Sequence, residues 1–151
     1  MSSTQNETAQ VDRETVTNDF KVALQGTLPD AHVEQQAQRL AAAATSFSAN
    51  GSVVSLVFYL QFQVSVTSPG GKTFNGKAGG LSSPGGGALF GTIYTDDINR
   101  LYSDTASFAF TATPVYLAIY FFDGNSNALG SFQAGAVSIV TGTGGGTGSW
   151  S

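Results

Sequence analysis

One histidine, no cysteine and ten scattered acids leave this chain poorly supplied with the usual partners of a reactive centre. A side-chain nucleophile needs a base beside it. The only histidine, His32, lies in the polar stretch "PDAHVEQQAQRL", where it reads as a solvated helix residue and not as a triad member. The same histidine, without a thiolate, leaves only carboxylates to hold a metal. Asp96 and Asp97 are adjacent, so on a helix they diverge, and they read as N-terminal acids. Asp123 stands in "DGN", where an aspartate serves the turn backbone. No pair of carboxylates has a spacing suited to general acid–base work. The glycine-dense end, "TGTGGGTGSW", has no lysine and no GxGxxG spacing, and no helix follows it to supply an anion-binding N-terminus. No catalytic, cofactor-binding or metal residue is therefore expected, no cofactor is implied, and the protein is expected not to be an enzyme.

The composition narrows the partners. Residues 1–50 carry six acids and three bases, and residues 51–151 carry four acids and three bases. A net charge of −4 with no basic cluster excludes nucleic acid as the expected partner. Charged residues make up 11% of the chain, against roughly 25% in an average soluble domain, whereas 41% are hydrophobic. At 151 residues the length suits one domain. The first thirty residues contain no apolar h-region, so no signal peptide is expected, and no run approaches the length of a membrane-spanning helix.

The elements follow from periodicity. Residues 1–30 read as a flexible polar arm, because their apolar residues have no period. Helix formers after Pro29 and Asp30, the latter a candidate N-cap, predict a helix over about 31–43, with Val33, Ala37, Leu40 and Ala44 on one face. A strand over about 39–48 competes with it, because Asn50-Gly51 is a hairpin signal. From Ser52 the period is two. Val54, Leu56, Phe58, Leu60, Phe62, Val64 and Val66 form one face, expected to be buried with Leu117 and Ile119. At roughly 3.3 Å per residue such a strand would span about 50 Å, more than a domain of this size is wide, so it must bend or break.

Further strands are expected in "KTFNGKAGGL", "ALFGTIYT", "ASFAFTAT", "VYLAIYFF" and "ALGSFQAGAVSIV", the last long enough for two strands hinged near Gly135. A short helix, "TDDINRLYS", should be capped by Thr95. The glycine-rich end, with the sole tryptophan at Trp150, fits a closing strand where backbones approach closely. The sum is an all-β fold, an antiparallel sandwich or barrel of seven or eight strands spanning residues 31–151. A long strand that must curve favours the barrel. Inward Phe58, Phe62, Phe108, Phe110 and Phe121 would fill it. In "VYLAIYFF", Tyr116, Tyr120 and Phe122 form a second apolar face. Either an N-terminal helix covers it or it is an interaction patch for a membrane or protein partner.

The segments "FNGKAGGLSSPGGGALFGTIYTDDINRLY", "FFDGNSNALGSFQAGAV" and "GTGGGTGSW" resemble the virulence-associated protein (Vap) family of rhodococci over roughly residues 31–151. The resemblance implies a compact eight-stranded antiparallel β-barrel with a short helix and a variable N-terminal arm. It implies a secreted, non-enzymatic effector that supports survival in host macrophages, acts on the phagosomal or endolysosomal compartment, and meets a host membrane lipid or a host protein. It brings no catalytic motif. The chain is expected to be monomeric. A small-ligand-binding or inhibitor barrel is the competing function.

Overall fold

The computed structural model of this protein describes residues 13–82, 84–135 and 141–151. Two helices, α1 (Arg13–Leu24) and α2 (Asp30–Ala42), precede a run of strands. These are β1 (Thr45–Ser55), β2 (Tyr59–Val66), β3 (Thr73–Ser82) and β4 (Gly85–Thr95). After a short helix α3 (Ile98–Asp104) come β5 (Ser107–Ala112), β6 (Tyr116–Phe122), β7 (Ala128–Gly135) and β8 (Gly142–Trp150). The eight strands close into a barrel in the order β1-β2-β3-β8-β5-β6-β7-β4, every neighbouring pair antiparallel.

The glycine-rich end is the closing strand. It runs between β3 and β5, with Gly146 opposite both Ala78 and Phe108. Its inward glycines leave room for phenyl rings: a methyl group at Gly148 would sit 2.5 Å from Phe74 Cζ, and one at Gly144 2.9 Å from a ring carbon of Phe110. The rings occupy the interior. Phe74 lies 5.4 Å from Phe108, 4.9 Å from Phe121 and 5.5 Å from Trp150, centroid to centroid. Phe62, Leu60, Leu117 and Ile119 complete this core.

Several expectations are corrected. The fifteen-residue strand breaks at residues 56–58 into a hairpin, with Leu56 N–H donating to Tyr59 O at 2.9 Å. Val57 takes φ 79°. Ser55 faces Leu60 across the pair, so the inward parity changes from odd (Ala49, Val53, Ser55) to even (Leu60, Phe62, Val64). Val54, Leu56 and Phe58 are therefore outside the core, contrary to the period-two reading. Asn50-Gly51 is no turn. Asn50 sits mid-strand between Ser65 and Phe90, and a Cβ at Gly51 would run into the Gln63 carbonyl. Helix α2 lies where a helix was expected, but Pro29 precedes it without a side-chain cap and Asp30 is its first-turn acid. Helix α3 is capped by Asp97, whose Oδ1 accepts from the N–H groups of Asn99 (3.1 Å) and Arg100 (3.2 Å). Thr95 instead donates to Leu129 O at 2.7 Å. The second strand expected after Gly135 falls partly on residues 136–140, outside the described residues.

The arm reading does not describe residues 13–30. Helix α1 docks Val16 and Phe20 onto the barrel, and the Arg13 guanidinium donates to Ala43 O at 2.9 Å and lies over the Tyr94 ring. Residues 1–12 lie outside the described residues.

Candidate functional site

Tyr116, Tyr120 and Phe122 do not form an exposed patch. They point outward from β6, but α1 and α2 cover them, making a second core with Val16, Phe20, Val33, Ala37 and Leu40. Phe20 meets Tyr120 edge-on at 4.8 Å and stacks near Phe122 at 6.1 Å. Burial pushes the Tyr120 phenol up to about 12, although its hydrogen bond with Thr111 works the other way. Tyr116 is raised too, by burial and by its hydrogen bond to the Asp19 carboxylate. Both phenols are thus neutral anchors of the helical layer. His32 is half-buried on α2, its Nε2 2.7 Å from Ser126 O.

Exposed large apolar side chains occur elsewhere, on α1 (Val22), on the barrel wall (Val54, Tyr59, Phe90) and at strand turns at one barrel end. Ser55 pairs with Leu60 and Gly85, Ser82 with Gly142, and Ala112 with Leu117 and Gly142. These registers place the β1–β2, β3–β4 and β5–β6 turns at one end of the barrel, with Gly135 and Gly142 beside them. The tips carry Leu56 (69% exposed), Phe58 (72%) and Val115 (75%), flanked by exposed Pro84 and Pro114. No charged residue occurs in residues 56–58, 82–85, 113–115 or 136–141.

The charges sit at the opposite end. Lys72, Asp96, Asp97, Arg100, Asp104 and Asp123 all belong to the β2–β3 turn, the α3 region or the β6–β7 turn. Arg100 bridges Asp104 at 3.5 Å and Asp123 at 3.9 Å. Burial opposes ionisation of Asp123. It is outweighed by the N–H groups of Asn127 and Asn125, the Asn127 amide and the Arg100 cation, so the carboxyl titrates below the ordinary aspartate range. Of the body's charges only Lys77 lies on the barrel wall. Among the described residues, the strand turns are polarised along the barrel axis, those at one end charged and those at the other apolar and without charged residues.

Chemically, the apolar end can only bury surface. Covering a leucine, a phenylalanine and a valine fully is worth roughly 1.5–3 kcal/mol each, before the entropy of association is subtracted. The sequence reading missed this site because it placed Leu56 and Phe58 in the core. The usable signal was the excess strand length, which required a break, together with the Thr-Pro-Val turn at 113–115. Among the described residues no group of three or more His, Cys, Asp or Glu could hold a metal ion. No described helix is long and apolar enough to cross a membrane. The outward side chains of β1–β3 include Asn50, Ser52, Gln61, Gln63, Asn75 and Lys77, which do not make a lipid-facing belt.

The profile of a family described as Rhodococcus equi virulence-associated protein matches residues 3–151. Two solved structures are similar. The virulence-associated protein VapD from the intracellular pathogen Rhodococcus equi is 44% identical with a TM-score of 0.69, covering 71% of this chain and 97% of its own. VapB from the same organism is 47% identical with a TM-score of 0.66, covering 71% and 96%. No curated protein matches the chain.

Proposed function

Because this chain belongs to the Rhodococcus equi virulence-associated protein family, we propose that it is a secreted, non-enzymatic effector that supports survival in host macrophages by docking its uncharged barrel end on phagosomal or endolysosomal membranes. One observation carries the reading. Leu56, Phe58 and Val115 are exposed on strand turns at one end of the barrel, and those turns carry no charged residue. An apolar tip of this kind gains by entering the headgroup–acyl boundary, while the charged end stays in water. The phenyl rings that occupy the interior among the described residues favour action at the surface over the competing ligand-barrel reading.

The absence of a basic cluster predicts little preference for anionic lipid. Residues 1–50, at net −3, oppose approach to an anionic surface, and acidification lowers the negative charge of any carboxylate-rich segment. Co-sedimentation with liposomes should rise from about pH 7 to about pH 4.5 and be lost in Leu56→Asp/Phe58→Asp, whose exposed sites tolerate the change. Binding that is absent at both pH values, or unaffected by the double substitution, would refute docking through this end and favour a protein target.

A further inference from the structure

The wall of the barrel away from the helices carries a second, unrelated surface. A groove of about 360 Å³ runs across β1, β2, β3 and β8, lined by Ser52, Gln61, Gln63, Asn75, Lys77 and Thr147. That volume lies within the roughly 300–1,000 Å³ of small-molecule sites. The registers set these side chains in two adjacent rows on the outer face, Ser52–Gln63–Asn75 and Gln61–Lys77–Thr147. Cross-strand neighbours of this kind stand about 5 Å apart. Gln63 Nε2 donates to Asn75 Oδ1 at 3.3 Å, which leaves the remaining amide groups of both free to turn outward. Among the described residues, the side chains of Ser52, Gln61 and Thr147 have no protein hydrogen-bond partner.

We infer that this groove binds an uncharged oligosaccharide. Other ligand classes fit the residues less well. The barrel is closed, so no strand edge is open for an added peptide strand. The lining mixes its polar side chains with Val54 and Phe62, of which only Val54 is exposed, so it gives an amphipathic helix no row of apolar anchors. A single lysine cannot track a polyanion. What remains is a planar array of amides and hydroxyls, each able both to donate and to accept, which is what the vicinal hydroxyls of a pyranose require. Tyr59, 40% exposed, stands in the next row beside Gly79, where a Cβ would meet no atom within 4 Å. Its ring flank is open, and the C–H face of a sugar can settle on its electron-rich π-face.

The test is an NMR titration of the full chain with maltohexaose, cellohexaose, mannohexaose and chitohexaose. At least one should shift the side-chain amide signals of Gln61, Gln63 and Asn75 saturably. Gln61→Ala/Gln63→Ala should weaken that binding about tenfold or more, as losing two hydrogen-bonding groups implies. Lys77→Met should leave it within about threefold, as should Phe58→Asp, which separates this site from the barrel tip. No saturable shift with any probe up to about 10 mM would overturn the inference. So would shifts confined to another face, or salt-sensitive binding abolished in Lys77→Met, which would assign the groove to an anionic ligand.

Discussion

A single methyl group on the closing strand should separate a correct account of this barrel from an incorrect one. Gly146 faces the interior between Ala78 of β3 and Phe108 of β5. A Cβ there would drive into the Lys77 carbonyl and sit 2.8 Å from Ala78 Cα. Both obstacles are backbone, so no rotamer change relieves them and β3 and β8 must separate locally. Overpacking of this kind costs roughly 1–3 kcal/mol, and the rigidity of the neighbour puts Gly146→Ala toward the upper end. At about 2–4 °C per kcal/mol for a chain of this size, the midpoint should fall by roughly 4–12 °C. Gly79→Ala is the matched control. Gly79 lies in the same β3–β8 ladder but has open space where its Cβ would go, so the smaller unfolded-state entropy should stabilise the protein by about 0.4–1 kcal/mol. Urea unfolding followed by circular dichroism measures both variants, read as shifts in midpoint at constant slope. If Gly146→Ala proved as stable as Gly79→Ala, β8 would not lie in this register between β3 and β5.

Phe62→Ala should cost about 3–5 kcal/mol, whereas Phe58→Ala should change stability by less than about 0.5 kcal/mol, since only Phe62 is in the core. Equal losses in urea unfolding would restore the uninterrupted strand. Phe20→Ala should destabilise by about 3 kcal/mol or more and increase binding of a hydrophobic dye, because Phe20 seals Tyr120 and Phe122. A neutral result would mean that α1 does not cover β6. Asp123 titrates lower in the folded chain than in the unfolded one. Its contribution is present above the unfolded value of about 3.9 and is lost as pH falls through the folded one. Asp123→Asn should therefore weaken the pH dependence of the urea midpoint below about pH 4, and an unchanged acid limb would contradict the hydrogen-bond account.

The parts of the fold legible in the sequence are those where one physical signal dominates. Leu117, Ile119 and Phe121 alternate cleanly and are buried, and the glycines beside Trp150 form the strand that their spacing suggested. The failures occur where two signals compete. "SVVSLVFYLQFQV" is apolar on both sides of its turn, so a hairpin that shifts parity by one residue does not disturb the pattern by eye. Asn50-Gly51 carries a strong turn signal, but the glycine is needed because the Gln63 carbonyl approaches it. Residues 13–24 hold few apolar side chains, and only their tertiary partners on β6 show why Val16 and Phe20 suffice. Of the two readings of Tyr116, Tyr120 and Phe122, the covering N-terminal helix is what the structure has and the exposed patch is not; α2 is legible in the sequence, whereas α1, about a hundred residues away, is not.

Correcting that patch strengthens the case for the barrel tip. Every residue of β6 is buried, inward against the phenyl core and outward against α1 and α2, so this sheet face gives up its aromatic surface to folding. Leu56, Phe58 and Val115 do the opposite. Their exposure forgoes burial worth roughly 1.5–3 kcal/mol per side chain, and Val57 between the first two adopts a left-handed conformation that disfavours a β-branched residue. An asparagine-glycine turn would close the same hairpin without strain or exposed apolar surface. Folding alone gives no reason for Leu-Val-Phe at this tip. The proposed docking on a membrane supplies one, because the turns at this tip carry no charged residue and offer apolar surface.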